Sequence, residues 1–406
     1  MKVLHTSDWH LGQKFLYNDR EEEHQMALDW LTVTIREQEV QTLIVAGDIF
    51  DIGNPPNYAR RMYYRFLTGL LGSCCRHIVI TGGNHDSPAM LNAPRELLAS
   101  LNIHVVAAAT EDVADEVIEL KNKQGELEAV VAAVPFLRDR DLRYSVAAES
   151  GYERAERIRE NILAHYQALA ELMQPYHSKK VPILATGHLY ASGAETSSRQ
   201  DNIYVGNIEN IDAGQFPSLF DYIALGHIHR AQEVGGQAHI RYSGSLIPLS
   251  FSETKDEKSV FLLEFAGKKL KKTSTLPVPV FRRLKTIQGN LQEVKERLNA
   301  FAAKEREGLK SWLEVIVDTD EVIPQLDREL QEFTKEMNLE LLKIRINRSY
   351  QALELANEPQ ADLDDLDVLD VFRKKCESFG SPPEAMAELQ QSFLELKDWM
   401  EERESI

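Results

Sequence analysis

The chain has 406 residues, 43% hydrophobic and 27% charged, the profile of a soluble protein too long for one ordinary core, so two or three units are expected. No run approaches the roughly eighteen apolar residues that span a bilayer, and three cysteines, two of them adjacent (Cys74, Cys75), exclude a disulfide framework or a thiolate zinc site. The net charge of −18 argues against tight, independent nucleic-acid binding, although positions 351–406, with fifteen acidic and five basic residues, carry −10 of it.

The opening Met-Lys-Val-Leu-His reads as a strand and not as a signal peptide, so a cytoplasmic protein with no membrane partner is expected. Apolar, β-branched runs predict strands at Val3–Leu4, Thr42–Ala46, Ile78–Thr81, Val130–Val134, Ile183–Thr186 and Tyr222–Leu225. They alternate with helical patterns, which predicts an α/β domain over 1–275. Two further strands, Ala238–Tyr242 and Ser259–Phe265, are expected to run antiparallel. Prolines near Leu276–Pro279 mark a boundary. Beyond it a β-α-β-α-β unit is expected over 276–350. Its strands are Phe281–Ile287, Trp312–Val317 and Leu339–Ile346, and its helix faces are marked by Leu291, Val294, Leu298 and Phe301, then by Leu326, Leu330, Phe333 and Met337. The acidic stretch 351–365 reads as a linker. In 366–406 two short helices are expected, and Met386, Leu389, Phe393, Leu396 and Met400 step by three and four. That stripe, widened by Trp399, either packs on the rest of the chain or docks a partner's helices.

Five segments share one layout, in which an apolar run ends in polar metal-ligand types. They deliver Asp8 and His10, Asp48, Asn84 with His85 and Asp86, His188, and His227 with His229. In open α/β sheets, sites form beyond the carboxyl ends of the strands, so five such strands would build one site. Carboxylate, imidazole and amide oxygen without thiolate suit a pair of ions such as manganese better than structural zinc. Asp48, with two oxygens, is the candidate bridge between ions about 3.5–4 Å apart. Each motif alone has an ordinary reading: Asn and Asp favour turns anyway, and a histidine at a strand end is commonly just hydrogen-bonded. The conjunction of five in this order is what points to a site. His5, His24, His77, His104, His165, His177 and His239 lack this context and read as structural or exposed.

Asp-x-His, Gly-Asp, Gly-Asn-His-Asp, Gly-His and Gly-His-x-His, in this order, resemble the signature of the calcineurin-like metallophosphoesterases. His-Thr-Ser-Asp-Trp-His-Leu-Gly at 5–12, Ala-Gly-Asp-Ile-Phe-Asp at 46–51, Ala-Leu-Gly-His-Ile-His-Arg at 224–230 and Tyr-Ser-Gly-Ser-Leu-Ile-Pro-Leu-Ser-Phe at 242–251 are similar to the SbcD family of nuclease subunits. The resemblance implies an α/β sandwich of two sheets flanked by helices, a small α/β capping domain and a C-terminal helical hairpin. It implies two Mn2+, with Mg2+ less suitable. Asp8, His10, Asp48 and His229 would hold one ion, and Asp48, Asn84, His188 and His227 the other. His85 would sit over the scissile phosphate as a proton-transfer residue. DNA would be the substrate, cut as a 3′→5′ double-strand exonuclease and as an endonuclease on single strands and hairpins in repair or recombination. A homodimer and an SbcC-type ABC ATPase docked through 366–400 are implied as partners. Some relatives carry a second histidine where this chain has Asp51, so that residue's role does not transfer. For DNA backbone contact the chain offers Lys14, Arg60, Arg61, Arg138, Arg140 and Arg143, each also readable as solvated surface charge. The rival expectations are a small-phosphodiester hydrolase and a non-catalytic scaffold. The first has no evident need of the two C-terminal parts, and the second would normally have lost ligand types that all stand here.

Overall fold

The computed structural model describes residues 1–138, 141, 151–192, 194, 211–304, 308–319 and 323–348, and beyond them 372, 376, 389, 390 and 393. Met1–Asn347 form one compact unit and Arg348–Ile406 a second. The first half of the chain supplies β1 (Lys2–Thr6), β2 (Thr42–Ala46), β3 (His77–Thr81), β4 (Ile103–Val106), β5 (Val117–Lys121) and β6 (Leu127–Ala132). Next come β7 (Ile183–His188), β8 (Tyr222–Gly226), β9 (Gln232–Val234), β10 (Gln237–Tyr242), β11 (Ser259–Ala266) and β12 (Lys269–Pro277). Three more strands follow, β13 (Leu284–Gly289), β14 (Ser311–Asp318) and β15 (Leu339–Asn347). The longer helices are α1 (Glu21–Glu37), α2 (Asn57–Gly69), α3 (Gly151–Met173), α4 (Leu291–Ala302) and α5 (Leu326–Thr334).

Two six-stranded sheets face each other, ordered β12-β11-β1-β2-β3-β4 and β9-β10-β8-β7-β6-β5. In each, four adjacent strands run parallel: β1 to β4 in the first, and β10, β8, β7 and β6 in the second. Parallel sheets are covered on both faces, which explains why β2 and β3 are buried at every position and apolar between their ends rather than alternating. Val3, Ile44 and Val79 of the first sheet meet Val131, Leu184 and Tyr222 of the second in the layer between them. The neighbouring positions point the other way. Leu4, Leu43 and Val45 pack on Leu28, Leu31 and Ile35, which step along one face of α1. On the outer side of the second sheet, Ile158, Ile162, Tyr166 and Leu169 of α3 cover Val130, Ile183 and Ile223. Each such buried side chain contributes roughly 1.5–3 kcal/mol of transfer free energy. The result is a four-layer α/β sandwich, two sheets flanked by helices, as expected.

One expectation holds only in part. β10 runs antiparallel to β9, as expected, but parallel to β8 on its other side. The chain reverses twice, once after β8 into β9 and again at Gly235-Gly236, whose φ values of 55° and 69° close the β9–β10 turn. β11 does run antiparallel, against β1. Strands β4, β5 and β12 carried too little apolar pattern to be expected. In β5 burial alternates, and β12 faces solvent along much of its length.

Residues 284–347 form a parallel three-stranded sheet, β13-β14-β15, backed by α4 and α5. Val294 and Leu298 of α4 and Leu330 of α5 close its core on Leu313, Val315 and Val317. A second cluster ties this sheet to the sandwich. Phe15 stacks on Trp312 with centroids 5.7 Å apart, and the Arg282 guanidinium lies 4.0 Å from the Trp312 ring centre. The expected linker and most of the expected helical hairpin lie outside the described residues, as do Arg140 and Arg143. Leu389 and Phe393 of the hairpin's apolar stripe are helical, and the Phe393 ring stacks on Phe372 at 4.2 Å.

Candidate metal centre

Five strands, β1, β2, β3, β7 and β8, end at the same edge of the sandwich, and the candidate ligands occupy or follow their last residues. The backbone there is strained. Asp8, His10, Asp48 and His227 all have positive φ, at 51°, 45°, 51° and 101°, which non-glycine residues rarely adopt. Such outliers cluster at functional sites, where the surroundings over-determine them. Backbone hydrogen bonds hold these turns, from Asp8 N–H to the Gly47 carbonyl at 3.0 Å and from His10 N–H to the Asp48 carbonyl at 3.0 Å.

Two glycines allow the ligands to meet. A Cβ on Gly47, whose φ is 84°, would lie 2.1 Å from His188 Nδ1, and one on Gly83 would lie 2.1 Å from Asp48 Oδ1. Asp48 consequently reaches the middle of the cluster. Its Oδ2 is 3.2 Å from His188 Nε2 and 3.5 Å from His10 Nε2. Asp8, His10 and His229 come together on one side of the cluster. On the other, Asn84 Oδ1 lies 3.0 Å from His188 Nε2 and 3.1 Å from His227 Nδ1. All seven proposed ligands therefore converge. Among the described residues, Asp8 also groups with Asp48 and His188, and His10 with Asp51 and His85.

Outer hydrogen bonds orient the rings. His188 Nδ1 meets the Ala46 carbonyl at 3.0 Å, and His10 Nδ1 meets Asp51 Oδ1 at 3.2 Å, which leaves the Nε2 atoms to face Asp48. His10 Nε2 is buried and has no hydrogen-bond partner. Burial disfavours charge on His10, but the hydrogen bond to Asp51 and the charges of Asp48, Asp51 and Asp8 outweigh it and push its pKa up to about 9. His188 behaves alike: burial opposes charge, and Asp48 with Asp8 raises its pKa to about 9. Burial resists ionisation of Asp48 too, but His188, His10 and His85 hold its carboxyl well below the usual range. His227 is pushed down to about 3 by burial and then by the charge of His188. Two buried carboxylates thus attract positive charge that histidine protons supply in the bare chain. A divalent cation would supply it instead. With an orphaned imidazole nitrogen and a thiolate-free set of nitrogen and oxygen donors, the residues fit such an ion.

Three supports were not expected in that role. Asp86 accepts the N–H groups of Ile49, Phe50 and Gly83 at 3.1, 3.0 and 2.8 Å, tying the Asp48 turn to the Asn84 turn. Burial and the neighbouring Asp48 charge raise its pKa to about 6. Glu253 lies 3.2 Å from His229 Nδ1, and Lys258 donates to its other oxygen at 2.6 Å. Burial opposes its ionisation, yet the His229 hydrogen bond and Lys258 hold the Glu253 pKa down at about 2. Asp51 supports His10 by its side chain and His85 by its backbone. The spacing Asp48-x-x-Asp51 was the only available hint.

His85 stands at the rim, exposed. Its Nδ1 is 2.6 Å from the Asp51 carbonyl, which can only accept, so Nδ1 carries the proton and Nε2 is left to exchange one. Arg138 donates to the Asp86 carbonyl at 2.9 Å and so braces the ligand turn. Lys14 lies 3.7 Å from Asp19, Arg60 donates to Asn57 at 2.6 Å, and Arg61 is exposed.

The calcineurin-like phosphoesterase family matches residues 1–231, and the C-terminal domain family described as "Type 5 capsule protein repressor C-terminal domain" matches residues 280–378. The chain is 40% identical over 376 residues to SbcD of the SbcCD nuclease from Escherichia coli strain K12, covering 92% of each protein. The chain is an SbcD-type calcineurin-like phosphoesterase. The SbcD protein of Rhodobacter capsulatus is 33% identical over 372 residues, covering 89% of this chain and 91% of that one. That of Bacillus subtilis is 33% identical over 272 residues, covering 65% and 66%. As an SbcD-type protein the chain is a metal-dependent hydrolase and a nuclease subunit, and it binds divalent metal. Among its described residues no helix is long and apolar enough to cross a membrane.

Proposed function

We propose that this nuclease subunit holds two manganese ions, cuts DNA and works with an ABC-type ATPase. The observation that carries the reading is the position of Asp48 Oδ2, shared between His188 Nε2 at 3.2 Å and His10 Nε2 at 3.5 Å. Asp8, His10, Asp48 and His229 would hold one ion, and Asp48, Asn84, His188 and His227 the other. Bound there, the pair lowers the pKa of the attacking water and offsets the charge that builds on the phosphoryl oxygens. His85, its tautomer set by the Asp51 carbonyl, passes a proton through Nε2 or stabilises the leaving sugar oxygen, a contribution of roughly 10²–10⁴-fold. Asp51, Glu253 and the Ala46 carbonyl keep the ligand rings in register during turnover.

The substrates would be duplex ends, degraded 3′→5′, and hairpins or single strands cut internally. Residues 1–275 would be the nuclease domain, 276–350 the capping domain, 351–365 a linker, and 366–406 a helical hairpin docking through 366–400 on the ATPase. A homodimer in the cytoplasm completes the reading. Its support is the 40% identity to a component of the SbcCD nuclease. The net charge of −18 opposes a tight independent hold on DNA, so partners would supply most of the grip. The test is cleavage of a labelled hairpin duplex by the purified chain with manganese, alone and with an SbcC-type ATPase and ATP. Manganese-dependent cutting that rises sharply with the ATPase is expected. Hydrolysis of a small phosphodiester without cutting of any DNA would retain the metal centre and overturn the DNA assignment.

A further inference from the structure

A two-stranded hairpin springs from the ligand loop that carries His10. Lys14–Phe15 pairs antiparallel with Asn18–Asp19, and Leu16 and Tyr17 alone make the turn. Both turn residues have left-handed backbone, with φ of 48° and 73°. A two-residue turn with both φ positive is one that Asn-Gly fills with little strain, whereas a branched or bulky side chain crowds the next carbonyl. This chain places leucine and tyrosine there. Tyr17 is 93% exposed, so burial offsets none of its strain, whereas Leu16 is 38% exposed.

The root of the hairpin is fixed. Phe15 is buried between Trp312, stacked at 5.7 Å, and Phe251, edge-on at 5.0 Å. The fully buried Arg20 lies 5.3 Å from the Phe15 ring centre and donates to Gln13 Oε1 at 2.9 Å. Gln13 in turn donates its backbone N–H to the His10 carbonyl at 3.0 Å. A fixed stem, rooted three residues after the proposed ligand His10, therefore presents a bare aromatic ring.

We infer that Tyr17 is a stacking platform for a nucleobase at the DNA end being cut, an inference that rests on the DNA reading above. Seven residue steps lead from the proposed ligand His10 to Tyr17, a reach of at most about 25 Å. At about 3.4 Å per step along one strand, the ring meets one of roughly the seven nucleotides nearest the scissile bond. A single flat ring on a narrow stem matches one base, whereas a docking protein would cover a broader apolar patch. Stacking is indifferent to sequence, because every base has a π-face, and this suits an enzyme that accepts any end.

The experiment uses the full chain with manganese and blunt duplexes carrying 2-aminopurine at each of the last seven positions. The wild-type chain and Tyr17→Phe should change the fluorescence at one position, and Tyr17→Gly should not. Tyr17→Gly should also raise KM for end cleavage roughly 5- to 50-fold with kcat little changed. Glycine relieves the left-handed backbone, so the same variant should melt at a higher temperature, and weaker DNA engagement by a more stable protein excludes misfolding as its cause. Wild-type fluorescence and KM in Tyr17→Gly, with DNA cutting intact, would overturn the inference alone. A wild-type chain that hydrolyses bis(p-nitrophenyl) phosphate and cuts no DNA would overturn the DNA reading and this inference together.

Discussion

Glu253 accepts the Nδ1–H of His229 at 3.2 Å, and Lys258, donating at 2.6 Å, keeps that carboxylate ionised and in place. The arrangement turns the His229 Nε2 toward the cluster. Carboxylates behind a metal-ligating histidine typically contribute 10- to 100-fold to metal affinity. Glu253→Ala is therefore expected to weaken manganese binding by roughly that factor, read by titration calorimetry. Glu253→Gln, which can still accept from His229, should fall between. Unchanged affinity in Glu253→Ala would remove Glu253 from the support of the centre.

His85 touches the cluster through its own backbone N–H, which donates to Asp48 Oδ1 at 3.0 Å, while its ring stands at the rim. Replacing the ring leaves that backbone bond intact. His85→Ala is expected to bind manganese as the wild type does and to lose roughly 10²–10⁴-fold in cleavage rate. Single-turnover assays with metal content measured in parallel would check this, and full activity would sink the role.

Gly47→Ala tests the packing behind Asp48. Its Cβ would lie 2.1 Å from His188 Nδ1, on a backbone with φ of 84°. The variant is expected to lose about 2 kcal/mol or more, on the order of 4–8 °C in melting temperature, and to bind manganese poorly. A well-folded variant with normal metal content would show that His188 moves aside freely.

Acid should destabilise the metal-free chain through three buried histidines. Burial lowers the pKa of His5 to about 3, of His24 to about 3 and of His104 to about 4, from the ordinary 6.5. Their neutral forms contribute stability that is whole above pH 6.5 and is lost as the pH falls from there toward 3, because the unfolded chain binds those protons first. Each residue adds up to about 1.4 kcal/mol per pH unit to the slope. His5→Gln should flatten the pH dependence of urea unfolding between pH 6 and 4 by about one such increment, and an unchanged slope would show that His5 is protonated in the fold.

The five motifs were legible because each is local: an apolar run followed by ligand types, with the fold bringing the strand ends together. The strands that carry them, such as Thr42–Ala46 and Tyr222–Gly226, are buried on both faces and so read as unbroken apolar runs. Glu253 and Lys258 were not legible as supports, and Asp86 was legible as a motif residue but not as the brace it forms. Glu253 stands 24 residues from His229, and only the path of the chain after β10 brings them together. The parallel pairing of β10 with β8 was not legible for a similar reason, since a strand's partner is set by the number of turns before it and not by its own composition. Leu16 and Tyr17 carry no glycine or asparagine to announce a tight turn, so sequence patterns passed over that hairpin.

Asp8, Asp48 and Asn84 come from one sheet, and His188, His227 and His229 from the other. Near them the sheets approach so closely that a Cβ on Gly226 would lie 1.8 Å from the Ala46 carbonyl of the opposite layer. The ions would therefore act as a rivet through both plates of the sandwich. Prising the plates apart and emptying the centre become one event, so a chelator should loosen the whole nuclease domain as well as silence it.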